Sequence, residues 1–216
     1  MFQPSFRREL LQILIDIGLS RLRTYERIVE DVLNEEKKDL KAEVEQVATT
    51  LPEEQREKFC ESYADEYQEL SHVYPDILRS SLLRMYCSFF EYRLVEVYKE
   101  YKKCYSGPNI DNITRGSQIE KIQKCMKEVK IRFPDQTPEW DNIKHYFYIR
   151  HILTHNEGKL NKKKKWYQQT KKFIQNNNFL TLDQLEHIHF DRPFVEQVAE
   201  NMGTFFNNLF KVLPIS

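Results

Sequence analysis

The stretch PDILRSSLLRMYCSFFEYRLVEVYKEYKKCY, Pro75 to Tyr105, decides the fold. Proline opens it at a position where a helix loses no hydrogen bond, and Leu82, Phe89, Leu94 and Tyr98 then recur on one broad apolar stripe. A helix of this length and bulk belongs at the centre of a bundle, with other amphipathic helices laid against it. Upstream, LPEEQREKFCESYADEYQEL, Leu51 to Leu70, reads as a second helix, with Pro52 at its first turn and Glu53 and Glu54 near its positive end. Further upstream, Leu22, Tyr25, Val29, Val32, Leu40, Val44 and Val47 form a stripe suited to one long helix, or two stacked ones, ending before Pro52.

Downstream, SGPNIDNITRGS (Ser106 to Ser117) breaks the pattern. QIEKIQKCMKEV then gives a short helix and RFPDQTPEW a loop, and a further helix spans Pro138 to His155, where Gly158 supplies a left-handed cap. NKKKKWYQQTKKF and NNNF read as loop or frayed helix. A last helix over about Arg192 to Val212 packs Phe194, Val198, Phe205, Phe206 and Leu209. Only 5 glycines punctuate 216 residues, and apolar spacings of three and four dominate. The expected fold is all-α, an antiparallel helical bundle over residues 76–216 with a helical extension, residues 1–75, packed on it.

The apolar run LLQILIDIGL, Leu10 to Leu19, is too short to span a bilayer and carries Asp16. Arg7 and Arg8 precede it, but no small-residue cleavage site follows, so a cytoplasmic protein with no membrane association is expected. Cys60, Cys87, Cys104 and Cys125 lack paired spacing and fall in helical patterns, as buried free thiols do. Net charge is zero, yet residues 1–75 hold 10 Lys and Arg against 17 Asp and Glu, and the remainder holds 23 against 16. Such asymmetry suits a polyanion site in the second half, or an acidic half facing another basic surface. The chain has no glycine-rich phosphate loop and no G-x-S-x-G elbow, which leaves nucleotide hydrolysis and serine-hydrolase chemistry without support.

Chemistry concentrates in YFYIRHILTHNEGKL, Tyr146 to Leu160. Arg150 and His155 stand five positions apart, about 140° around a helix, so the two side chains flank one face. They either cap the helix and complement its negative end, or supply a cation for a phosphate and an imidazole for proton transfer. Neither a carboxylate dyad nor a metal is needed for the second role; the expected cofactor and metal content is none. The run Lys162, Lys163, Lys164, Lys165, followed by Trp166 and Tyr167, is either a solvated loop or an RNA-backbone contact beside rings on which a base can stack. HIH, His187 to His189, places two imidazoles on one face if extended, without the further ligands a metal needs.

IRHILTHNEGKL resembles the R-x4-6-H signature of the HEPN superfamily, whose bacterial members also finish in His-Asn-x-Gly-Lys. The likeness extends to LRSSLLRMYCSFFEYRLVEVYKEY, SQIEKIQKCMKEV and RPFVEQVAENMGTFFNNLF, which match that group's central, next short and closing helices over about Ile77 to Leu213. The resemblance implies a HEPN-type bundle and a metal-independent endoribonuclease acting on an RNA substrate, often in toxin–antitoxin or phage-defence systems. It implies a homodimer with a composite active site, and an antitoxin, inhibitor or sensor subunit as a further partner. Arg150 and His155 match the two fixed positions. His151 holds the polar position after the arginine, where it either bonds substrate, adds an acid or base, or is an ordinary helix-end residue. Asn156 and Gly158 match the tail and end the helix, and Glu91 stands where similar proteins often carry an acidic or polar residue, so that it either orients Arg150 or is an ordinary surface glutamate. The alternative function is a non-catalytic HEPN module that binds a partner protein or RNA.

Overall fold

The computed structural model describes residues 7–213. Helix α1, Arg8–Thr50, is a single unbroken rod of 43 residues, about 65 Å long at 1.5 Å per residue. Pro52 stops it and starts α2, Glu53–Glu61. The helix expected over Leu51 to Leu70 is shorter: the chain breaks at Ser62 and Tyr63, resumes as α3, Ala64–Gln68, and passes through a π-helical turn, Glu69–Val73, into α4, Tyr74–Cys104. Pro75 lies in the first turn of α4 and donates no hydrogen bond, so the widened turn falls where the regular ladder would lack a donor.

A 3-10 turn at Ile110–Asn112 leads to α5, Gln118–Glu128. There Ser117 Oγ accepts from Glu120 N and Ser117 N donates to the Glu120 carboxylate, a reciprocal capping box. Helix α6, Pro138–His155, begins at a Thr137 cap with Pro138 at its first position. Helix α7, Tyr167–Gln175, occupies part of the stretch read as loop or frayed helix. Its polar sequence hides an inward row, Tyr167, Thr170 and Ile174, at spacings of three and four. The strands β1, Leu180–Leu182, and β2, Ile188–Phe190, pair antiparallel with Thr181 opposite His189. Helix α8, Arg192–Val212, closes the fold. The all-α architecture thus carries one small hairpin.

The core lies where α4, α6 and α8 meet. Phe90 packs against Phe205 at 5.2 Å and Phe206 at 4.9 Å between ring centres, and Trp140 stacks on Phe205 at 5.2 Å. The five residues expected to pack from the last helix are all buried, whereas Phe89 is only partly covered. Helix α1 runs antiparallel to α4, with Glu30 beside Arg79, Gly18 beside Phe89 and Arg7 beside Glu100.

The buried face of α1 differs from the expected stripe. Leu11, Ile15, Leu19, Glu26 and Glu30 point inward with Leu22 and Val29 at the margin, while Tyr25, Val32 and Val47 stay exposed. Two carboxylates enter because arginines meet them: Arg79 holds both oxygens of Glu30, at 2.6 and 2.9 Å, and Arg192 lies 3.6 Å from Glu26. Burial pushes the Glu26 carboxyl above its ordinary range, Glu196 adds to the shift, and Arg192 opposes it. All four cysteines are free; Cys87 and Cys125 are buried as expected, Cys104 is half-buried, and Cys60 is exposed.

Candidate functional site

Helix α6 buries Trp140, Ile143, Tyr146, Ile149, Ile152 and Leu153. Its opposite face then carries Lys144, Phe147, Tyr148, His151, Thr154 and His155 outward, as a period of 3.6 requires. The helix ends at Asn156, followed by left-handed Glu157 (φ 52°) and Gly158 (φ 82°). The Gly158 amide donates to Ile152 O at 3.3 Å, closing the last turn. Arg84 of α4 adds a guanidinium hydrogen bond to Leu153 O at 3.2 Å, where a cation complements the negative helix end. Arg84 was not singled out from sequence. It lies seven residues before Glu91, two turns along the same side of α4, and that spacing was its only available signal.

Arg150, His151 and His155 line a single cavity of about 440 Å³, together with Lys144, Phe147, Tyr148 and Thr154 of α6, Ser117, Ile119 and Glu120 of α5, and Trp166. Glu91 accepts a hydrogen bond from Arg150 Nη1 at 3.2 Å, and the guanidinium carbon lies 5.8 Å from the centre of the Phe147 ring. The Arg150 side chain is 35% exposed, so it is anchored on one side and open to the cavity on the other. His151 lies between Arg150 and His155 around the helix. Its ring centre is 4.5 Å from that of His155 and 6.0 Å from Trp166, which meets it edge-on. Partial burial, then the neighbouring His155 and Lys164, holds the His151 imidazole below its ordinary pKa. It therefore tends to remain an uncharged hydrogen-bonding group near neutral pH.

The other expected residues separate. Trp166 faces the cavity, but Tyr167, expected beside it as a second stacking ring, is buried and donates its hydroxyl to Glu186 Oε1 at 2.7 Å. A helix turns successive side chains by 100°, so adjacent aromatics at the start of α7 cannot both face one ligand. Lys162 reaches toward Glu186 at 3.9 Å, and Lys163, Lys164 and Lys165 are exposed in the turn that precedes Trp166. Asn156 faces away from the imidazoles into a separate polar cleft with Lys159 and Asn161, and its buried Nδ2 finds no partner among the described residues.

His187 and His189 lie on the hairpin side and engage carboxylates. His187 Nδ1 is 3.0 Å from Asp183 Oδ2, and His189 Nδ1 is 2.5 Å from Asp76 Oδ2. Asp183, which accepts backbone donors from His187 and Leu185 as well, is held down to about 2. Among the described residues, no group of three or more His, Cys, Asp and Glu side chains is arranged to hold a metal ion, and no helix is long and apolar enough to cross a membrane.

Sequence reading missed Ser117, Glu120, Lys144, Phe147, Tyr148 and Thr154. The four on α6 were accessible from helical spacing around His151, and S-x-x-E at Ser117 is a visible capping signal. That α5 begins beside the histidines is a tertiary fact. Comparison with family models, with curated proteins and with solved structures returned no match.

Proposed function

We propose that the chain is a metal-independent endoribonuclease, a HEPN-type effector of the toxin or phage-defence kind. The observation that carries this reading is the convergence of Arg150, His151 and His155 on one cavity, with Arg150 oriented by Glu91. The ribose 2′-hydroxyl attacks the adjacent phosphorus. His155 takes the hydroxyl proton, the O2′–P bond forms, and the P–O5′ bond breaks. A protonated imidazole, the second His155 of a composite cleft, returns a proton to O5′, leaving a 2′,3′-cyclic phosphate and a 5′-hydroxyl. Arg150 offers its fork of donors to the charge gathering on the phosphorane. Neutral His151 accepts or relays a hydrogen bond between them.

The active unit in this proposal is a two-fold dimer. Support comes from α4, whose exposed Met85 and Tyr92 lie seven residues apart on one side of the helix and leave an uncovered apolar surface for a second copy. Ile13, Ile17, Tyr25, Ile28 and Val32 leave α1 a second exposed apolar face, the surface on which an antitoxin, inhibitor or sensor subunit is proposed to dock.

The test is cleavage of RNA in excess chelator, with the termini identified by end labelling. His155→Ala and Arg150→Ala should each lower the rate on the order of 10²–10⁴-fold while retaining the helical spectrum. Chains carrying the two substitutions separately should regain activity when mixed if the residues act across the interface. Abolition by chelator, or a 3′-hydroxyl product, sinks the metal-free mechanism.

A further inference from the structure

We propose, resting on the nuclease reading above, that the same cavity reads one base of the RNA, and that Glu120 makes it select guanine. The cavity lining combines two chemistries. Arg150, His151 and His155 are suited to a phosphate. Phe147 and Trp166 lie next to them, respectively 5.8 Å from the Arg150 guanidinium and 6.0 Å from the His151 ring, and Tyr148 and the start of α5 complete the lining. Its volume of about 440 Å³ lies within the range of about 300–1,000 Å³ typical of small-ligand sites, enough for a single nucleotide. Single-stranded RNA is ordinarily read in this way, by unstacked bases laid on aromatic rings and hydrogen-bonded along their edges.

Glu120 supplies the edge. It lines the cavity, and one of its oxygens is fixed by the Ser117 amide at 2.7 Å. Gly116, with φ of 105°, passes so close that an added Cβ would stand 2.9 Å from that oxygen, so the backbone turn is shaped around the carboxylate. The other oxygen has no hydrogen-bond partner among the described residues. A carboxylate held this way presents acceptors only. Guanine alone among the four RNA bases offers a ring N–H and an amino group side by side, two donors that match it. Adenine and cytosine offer an amino group beside a ring acceptor, which the carboxylate repels; uracil offers a ring N–H between two carbonyls.

Glutamine tests this without disturbing the helix start, because Gln serves the capping box as well as Glu. In Glu120→Gln the amide oxygen stays on the Ser117 N–H and an NH₂ faces the cavity, turning an acceptor into a donor. Binding is measured on the full chain carrying His155→Ala, by quenching of tryptophan fluorescence with GMP, AMP, CMP and UMP; Trp166 lines the cavity while Trp140 is buried in the core. GMP should bind on the order of tenfold or more tightly than the others, the discrimination expected of a paired base edge. Adding Glu120→Gln should erase that preference, and Trp166→Leu, read by competition calorimetry, should weaken all four.

Equal binding of the four nucleotides, or a guanine preference that survives Glu120→Gln, overturns the proposal. Cleavage is scored separately. A nuclease that cuts RNA with no base preference loses this subsite and keeps its mechanism, whereas selective GMP binding without any cleavage keeps the subsite and removes the catalytic reading.

Discussion

Arg79 is the residue through which α1 is fastened to the bundle, and replacing it with methionine tests the docking directly. Its guanidinium makes a two-toothed contact with Glu30, at 2.6 and 2.9 Å, and a third hydrogen bond to Phe190 O at 2.8 Å, so one side chain joins α1, α4 and β2. The Arg79 and Glu30 side chains are 16% and 4% exposed. R79M keeps most of the apolar stem but strands the Glu30 carboxylate out of reach of water, with Glu26 one turn away as a second buried carboxylate. Removing one partner of a buried pair costs about 3–5 kcal/mol, chiefly from the charge left uncompensated. At roughly 2–4 °C per kcal/mol for a chain of this size, the melting temperature should fall by about 6–20 °C. The assay is guanidinium unfolding followed by circular dichroism, with hydrogen exchange to show whether α1 amides lose protection first. The double variant R79M with Glu30→Leu removes the stranded charge and should recover most of the loss. A fall below about 1 kcal/mol in R79M, or no recovery in the double variant, would refute the account of how α1 is held.

Two further outcomes follow from the same packing. The hydrogen bond to Asp76 leads in raising the His189 imidazole above its ordinary pKa, despite an opposing burial effect; its stabilisation is therefore complete below about pH 6.5 and is lost as pH rises through the raised folded value. With the side chain 45% exposed, the effect should stay under about 1 kcal/mol, and His189→Gln should flatten the fall in urea midpoint as pH rises above about 6.5. Deleting residues 1–50 uncovers the surfaces of α4 and α8 that Leu11, Ile15 and Leu19 cover, forgoing roughly 1.5–3 kcal/mol for each of those side chains; aggregation by light scattering is expected, and a soluble, monodisperse truncation would contradict it.

The elements that local chemistry specifies were legible in the sequence. Helix α6 begins and ends where Thr137, Pro138 and Gly158 place it, α5 begins at its Ser117 capping box and α8 with Pro193 in its first turn, because a helix terminus is decided by a few neighbouring residues. Arg150 and His155 could be placed on one face of α6, with His151 between them, since helical period alone fixes that geometry. The inward face of α1 could not be read this way. Glu26 and Glu30 turn inward and Tyr25 and Val32 outward because Arg79 and Arg192, far along the chain, meet the carboxylates, and a hydrophobic pattern carries no record of such partners. The hairpin and α7 are short, and each becomes stable only against surfaces built elsewhere: β1 needs β2, and Tyr167 needs Glu186. The cavity belongs to the same class. Its histidines and arginine are written in one helix, but Glu120 and Trp166 reach it from α5 and the start of α7, and Glu91 of α4 holds Arg150 from behind, so its walls exist only after the chain has packed.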